Sequence, residues 1–92
     1  MPNPGSYTFF GNLVVNWSFN SSKNQLTVDA TLNGKSIGST VLQPGQNTGQ
    51  LQGTEGGQTG TVDLTAAFGA RTLQMNAQET NPTRSGTHTS DF

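Results

Sequence analysis

Cysteine is absent from the 92-residue sequence, and charged residues make up only 10% of it. Without cysteine, the chain can form neither a disulfide framework nor a thiolate metal site. Its four Lys and Arg residues are too few to supply the basic surface by which proteins bind nucleic acid or anionic membranes. We therefore expect neither nucleic acid nor membrane among its partners.

Long apolar runs are also missing. No stretch approaches the roughly 20 apolar residues of a membrane span. The first six residues, MPNPGS, show no basic segment followed by an apolar one, so no signal peptide is visible. This is consistent with a cytoplasmic protein, with release by another route, or with a mature fragment, and the localisation stays undetermined. The length is that of one domain.

The most informative stretch runs from Tyr7 to Asn20. Its odd positions are apolar apart from Gly11, and its even positions are mostly polar. Such alternation predicts a β-strand with one buried face. The only tryptophan, Trp17, stands at an odd position, so we predict that it packs in the core rather than stacking on a sugar. A strand this long, with a glycine near its middle, is expected to bend there.

Turn-forming residues divide the rest of the sequence into further alternating segments. Asn33-Gly34 predicts a tight type I′ hairpin, and Gly69-Ala70 fits a type II′ turn, with glycine at its first central position. The registers that the turns dictate also align the apolar faces of neighbouring strands, and this agreement is the best evidence for the fold. The predicted pairs include Phe19–Leu26, Trp17–Val28, Ala30–Ile37, Leu26–Val41, Leu51–Val62 and Leu64–Met75.

The sequence therefore predicts an all-β fold, a six-stranded antiparallel meander curled into a small barrel or a two-layer sandwich. We expect a single β domain over residues 1–79, with residues 1–6 as a lead-in. An irregular tail is expected over 80–92, because nothing alternates there and Asn81-Pro82 would break a strand. His88, the only histidine, falls in this tail and is expected to be exposed.

A short recurrence links two of the predicted strands. Residues 27–31 read TVDAT, and residues 61–65 read TVDLT, 34 positions later. This indicates either a duplicated half or the ordinary preference of strands for Thr and Val. The residues around the two copies do not align well, which favours the second explanation.

No combination of residues predicts catalysis, so we expect a non-enzymatic protein with no cofactor and no bound metal. His88 has no nearby partner except Asp91, and no serine lies in a glycine-flanked elbow after a strand. The carboxylates are not at calcium-loop spacing. The glycines between 53 and 57 lack the Lys-Ser/Thr pair of a phosphate-binding loop.

Asp29 and Asp63 are the only charged residues predicted at outward positions in the middle of strands. The registers set each beside amide side chains of neighbouring strands, and carboxylates and amides at fixed spacing can bond sugar hydroxyls. Asp63 is preferred because amides flank it on both sides, whereas Asp29 has Gly38 on one. The candidate sugar-binding residues are Asp63 with Gln50 and Asn76, and Asp29 with Asn16.

The neutral, polar surface leads us to expect a lectin-like, carbohydrate-binding β module. The alternative is a structural or assembly protein, such as a virion, fibre or coat component, that self-associates through such surfaces. A barrel binding an apolar ligand is disfavoured, because the few apolar residues are needed to fill the interior. With a net charge of −1, little repulsion separates copies of the chain. The expected partners are therefore a glycan or a second copy, as a homo-oligomer.

Overall fold

The structure, a computed structural model, describes residues 5–92, so residues 1–4 of the predicted lead-in lie outside it. The described residues form two antiparallel sheets, each with its four strands in chain order. Within this range there is no helix of the length and apolar character needed to cross a membrane. In chain order the strands are β1 (Gly5–Phe9), β2 (Leu13–Asn20), β3 (Gln25–Leu32), β4 (Lys35–Leu42), β5 (Thr48–Glu55), β6 (Gln58–Ala67), β7 (Thr72–Glu79) and β8 (Arg84–Asp91).

The two sheets, β1–β4 and β5–β8, bury their apolar faces against each other. Gly60 of β6 lies against Leu32 and Leu13 of the first sheet, and Gly53 of β5 lies against Ile37 of β4. The all-β, antiparallel prediction is thus confirmed, as two packed sheets and not a closed barrel. The buried layer consists of Phe9, Leu13, Val15, Trp17, Phe19, Leu26, Val28, Ala30, Leu32, Leu42, Leu51, Val62, Leu64, Ala66, Leu73, Met75, Ala77 and Phe92.

The prediction of six strands is wrong, first because the long N-terminal strand is two strands. Phe10 and Gly11 both have positive φ, 59° and 81°, and the chain reverses at this point. The Asn12 N–H donates to Phe9 O at 3.2 Å, and Phe9 pairs with Leu13. Glycine adopts positive φ without steric cost, so the position where we expected a bend holds a complete turn.

The predicted irregular tail over 80–92 is also wrong, because Arg84–Asp91 forms β8 and pairs with β7 along its whole length. The inward positions of β8 include Gly86 and His88 in place of large apolar residues, so hydrophobic alternation does not reveal the strand. Asn81-Pro82, whose peptide bond is cis, lies in the turn before β8 and does not interrupt it.

The predicted pairs Ala30–Ile37 and Leu26–Val41 are wrong because β4 contains a bulge. The register shifts by one residue there, so that Leu26 faces Leu42. Leu42 is fully buried, and Ile37 still packs against the core. The bulge therefore adds one large apolar side chain to the buried layer without removing the other. Val41 points to solvent as a result, with 48% of its surface exposed.

The other predicted registers are confirmed. The turn between β6 and β7 has four residues, 68–71, with Arg71 at positive φ (58°). The predicted type II′ turn at Gly69-Ala70 is therefore wrong, although it gives the same register. The confirmed pairs include Phe19–Leu26, Trp17–Val28, Leu51–Val62 and Leu64–Met75.

The two sheets resemble each other in their turns. The second strand of each is followed by a four-residue turn, at 21–24 and at 68–71, and each turn ends on a residue with positive φ, Asn24 (53°) and Arg71 (58°). These turns are 47 positions apart. The TVDAT/TVDLT recurrence has a spacing of 34 and lies in the third strand of one sheet and the second strand of the other. It does not follow the structural repeat.

Gly53→Ala should destabilise the fold, because a Cβ at residue 53 would lie 2.5 Å from the Cβ of Ile37. Forcing the sheets apart by one methyl group should lower the free energy of unfolding by about 1–3 kcal/mol. Gly69→Ala is the matched control, since a Cβ there meets nothing within 4 Å. Equal stabilities of the two variants in denaturant titrations would contradict this packing.

Trp17 should emit as a buried tryptophan, because only 5% of its surface is exposed and its indole lies against Gly5. We expect blue-shifted fluorescence and protection from soluble quenchers in the folded protein, both lost in denaturant. Emission like that of free tryptophan in native buffer would contradict the register of β2 with β3.

Candidate functional site

Three of the predicted site residues form one row across the second sheet. Gln50 of β5 faces Asp63 of β6, which faces Asn76 of β7. The Gln50 side-chain amide donates to Asp63 Oδ1 at 2.8 Å. The structure extends the row to Thr87 of β8, whose hydroxyl donates to Asn76 Oδ1 at 2.9 Å. Thr87 was missed from sequence because the strand that carries it was not recognised.

The whole outer surface of the second sheet continues this chemistry, and we call it the amide–hydroxyl face. All of its positions are polar except Ala67, and it carries no lysine, arginine or aromatic residue. It consists of Thr48, Gln50, Gln52, Thr54, Thr59, Thr61, Asp63, Thr65, Ala67, Thr72, Gln74, Asn76, Gln78, Ser85, Thr87, Thr89 and Asp91.

The amide–hydroxyl face is a regular lattice. The pairings among β5–β8 run without a register shift over residues 48–91. Side chains are therefore spaced by about 4.8 Å from strand to strand and by about 6.8 Å along each strand. A second polar row, Gln52, Thr61, Gln78 and Ser85, lies next to the row that contains Asp63.

The remaining predicted residues, Asn16 and Asp29, pair with each other on the outer surface of the first sheet. They lie on the opposite side of the molecule from Asp63 and do not join its site. The bulge in β4 places Ser39 beside Asp29, so the predicted neighbour Gly38 is wrong. Among the described residues, no side-chain hydrogen bond joins this row. The surface is also interrupted by the exposed Val41.

A polar cluster that sequence reasoning missed joins the hairpin turns at one end of the molecule. The Gln58 side-chain oxygen accepts hydrogen bonds from the amides of Asn12 (2.9 Å) and Asn33 (3.0 Å). The Gln58 amide donates to Glu79 Oε1 at 3.5 Å. Since these residues come from four different strands or turns, the cluster fixes the ends of both sheets relative to each other.

Glu79 is the charged centre of this cluster. Its side chain is fully buried, and Oε1 accepts hydrogen bonds from Nε (3.2 Å) and from a terminal nitrogen of Arg84. Arg84 also lies over the ring of Phe10, 5.2 Å from its centroid. Glu79 Oε2 accepts no hydrogen bond from the described residues. The position of Glu79 is predictable in principle, because it continues the inward series of β7.

His88, which we expected to be exposed, is half-buried on the inner side of β8. Its ring stacks on Tyr7 of β1, with centroids 3.7 Å apart and planes 8° from parallel. Tyr7 is itself 37% exposed. The contact joins the outermost strands of the two sheets along the seam between β1 and β8. Within the described part of the chain, His88 therefore has an aromatic packing partner and no carboxylate partner.

Within residues 5–92, no group of three or more His, Asp or Glu side chains is arranged to hold a metal ion. No protein-family model matches this chain, and no curated protein or solved structure matches it either. Function is therefore inferred from the arrangement of polar groups on the faces and edges of the sheets.

Arg84→Met should destabilise the protein strongly, because it keeps the aliphatic stem and leaves the buried Glu79 carboxylate without its charged partner. We expect a loss of about 3 kcal/mol in the free energy of unfolding. Lys35→Met is the control: the Lys35–Glu55 pair is 4.0 Å long with Lys35 largely exposed, and it should cost less than about 1 kcal/mol. Equal, small losses in chemical denaturation would show that Arg84 does not stabilise the buried carboxylate.

Proposed function

We propose that the protein is a non-enzymatic carbohydrate-binding module that holds an extended glycan on the amide–hydroxyl face. The observation that carries the proposal is the row of Gln50, Asp63, Asn76 and Thr87, which crosses all four strands of the sheet. It combines a carboxylate, two amides and a hydroxyl at the spacing of the strands.

The chemistry of this row suits sugar hydroxyls, which both donate and accept hydrogen bonds. Asp63 is positioned by Gln50 through Oδ1, and its second oxygen accepts no hydrogen bond from the described residues. That oxygen can accept from a ligand hydroxyl, and a hydrogen bond to a charged group is worth roughly 1.5–3 kcal/mol. The amide of Asn76, whose oxygen is engaged by Thr87, keeps its N–H groups for the ligand.

An extended glycan fits better than a single sugar. Sites for one small ligand are usually concave and bury most of its surface, whereas the amide–hydroxyl face is the open side of a sheet. The polar rows repeat along the strands, so neighbouring sugars of one chain can bind neighbouring rows. Linking many weak contacts in this way raises the overall affinity without any single strong contact.

Asp63→Asn should weaken glycan binding about tenfold or more, because it replaces the charged acceptor with a neutral amide of the same size. The fold should be unaffected, since the residue faces outward, and Trp17 emission reports this. Binding is measured by a glycan array and by depletion of the protein onto insoluble polysaccharides.

Asp29→Asn is the matched control on the opposite outer surface and should leave binding unchanged. Equal losses from both variants would assign binding to both outer surfaces. Glycan affinity that survives both substitutions would contradict the proposed face and direct attention to the loops at 21–24 and 43–47.

A self-associating structural component is the second candidate function. The observation that favours it is the free edge of β8, an eight-residue strand with no bulge, proline or lysine. Unprotected edges of this kind are templates for pairing with another chain. Sedimentation velocity over a range of protein concentrations tests it, and a species of constant monomeric mass would contradict it.

A further inference from the structure

We propose that two copies of this chain pair through the free edges of their β8 strands, antiparallel about a twofold axis. The dimer would carry one continuous eight-stranded outer surface. The inference rests on the second candidate function, self-association, and is independent of glycan binding.

The length and regularity of the edge strands favour the second sheet as the one that pairs with another copy. In the first sheet, β4 is bulged, and bulged edges discourage pairing; the described part of β1 has five residues, against eight in β8. The two edges of the second sheet, β5 and β8, are each eight residues long and regular. Of these, β5 has two glycines on its inner side, Gly49 and Gly53, and β8 has one, Gly86. β8 also lies beside the exposed ring of Tyr7.

The backbone of β8 is oriented for this pairing. The Phe92 N–H donates to Arg71 O at 2.9 Å. Because N–H and C=O groups alternate sides along an antiparallel strand, the even-numbered residues of β8 bond to β7. The odd-numbered residues direct their N–H and C=O groups to the free edge. The side chains of these odd-numbered residues point outward. Backbone hydrogen bonds between the odd-numbered residues of two copies would therefore continue the amide–hydroxyl face from one copy to the other. These residues are Ser85, Thr87, Thr89 and Asp91.

One register uses all four of these residues. It sets Ser85 opposite Asp91 of the second copy and Thr87 opposite Thr89 of the second copy, with His88 at the twofold axis. The Ser85 hydroxyl can donate to the Asp91 carboxylate, and the relation occurs twice by symmetry.

The twofold axis then coincides with the exposed aromatic contact. Tyr7 stacks on His88 and is 37% exposed. In the dimer the two Tyr7–His88 stacks become neighbours at the centre of the contact. Tyrosine is among the residues that contribute most to protein interfaces when they lie near the centre.

Thr87→Pro tests the interface directly, because it removes an N–H that points to the free edge and leaves the bonds to β7 intact. We expect the wild-type chain to sediment as a dimer of two 9.7 kDa chains, and the variant to dissociate with a Kd about tenfold or more higher.

Gln52→Pro is the matched control. It lies on the free edge of β5, because the Ala66 N–H bonds to Asn47 O and so sets the odd-numbered residues of β5 toward β6. It should leave the dimer unchanged, and circular dichroism confirms the fold of both variants.

A thiol test is independent of any effect of proline on folding. The chain has no cysteine, and residue 88 would pair with itself at a non-hydrogen-bonded position, with Cα atoms about 4.5 Å apart. That distance allows a disulfide, so His88→Cys should oxidise to a covalent dimer. Ser90→Cys is the control, because its opposite residue is Gly86 and the Cα atoms of the two cysteines would be about 14 Å apart.

The outcomes separate the interface from the function. Association that is insensitive to Thr87→Pro, with no cross-linking of His88→Cys, would overturn the β8 interface and leave self-association standing. Dissociation by Gln52→Pro as well would indicate a contact from β8 to β5, which continues into an open array, and would overturn the twofold dimer. A monomer at every concentration would overturn both self-association and the β8 dimer. The proposal of glycan binding would be unaffected.

Discussion

Burial of one apolar layer between two four-stranded sheets is the interaction on which the rest of the structure depends. Every strand from β2 to β7 contributes side chains to it, and alternation then leaves the outer sides of the strands mostly polar, with Val41 of the bulged β4 as an exposed exception. Glycines at the closest approaches, such as Gly53 and Gly60, let the sheets meet without displacing side chains. The polar outer surfaces and the open edges both follow from this arrangement.

Turn length and residue parity predicted much of the fold. They correctly predicted that Gln50, Asp63 and Asn76 lie side by side on neighbouring strands. When a short turn joins two strands, only one register keeps both apolar faces inward. The same reasoning failed at β4. There both Ile37 and Leu42 can be accommodated against the core once an extra residue is inserted, and hydrophobicity alone does not reveal a bulge.

The elements that were missed are those whose partners are polar or distant in sequence. β8 has no apolar alternation, because its inner side meets the seam at Tyr7 and not the centre of the buried layer. Glu79 occupies an inward position of β7, but its buried carboxylate is stabilised by Arg84, which belongs to the next strand. Such pairs are determined by tertiary contact, and no local pattern in the sequence encodes them.

The seam between β1 and β8 has a topological consequence. Tyr7 lies on His88, and Gly86 lies against Phe9 and Phe10, so the first and last strands run side by side in space without sharing ladder hydrogen bonds. The seam between β4 and β5, which the turn at Pro44-Gly45 connects, is its counterpart. A short linker from β8 to β1, with the chain opened at Gly45, would exchange the order of the two sheets in the polypeptide while preserving every register. Because neither sheet takes a strand from the other, we expect circular permutation at this site to preserve the fold.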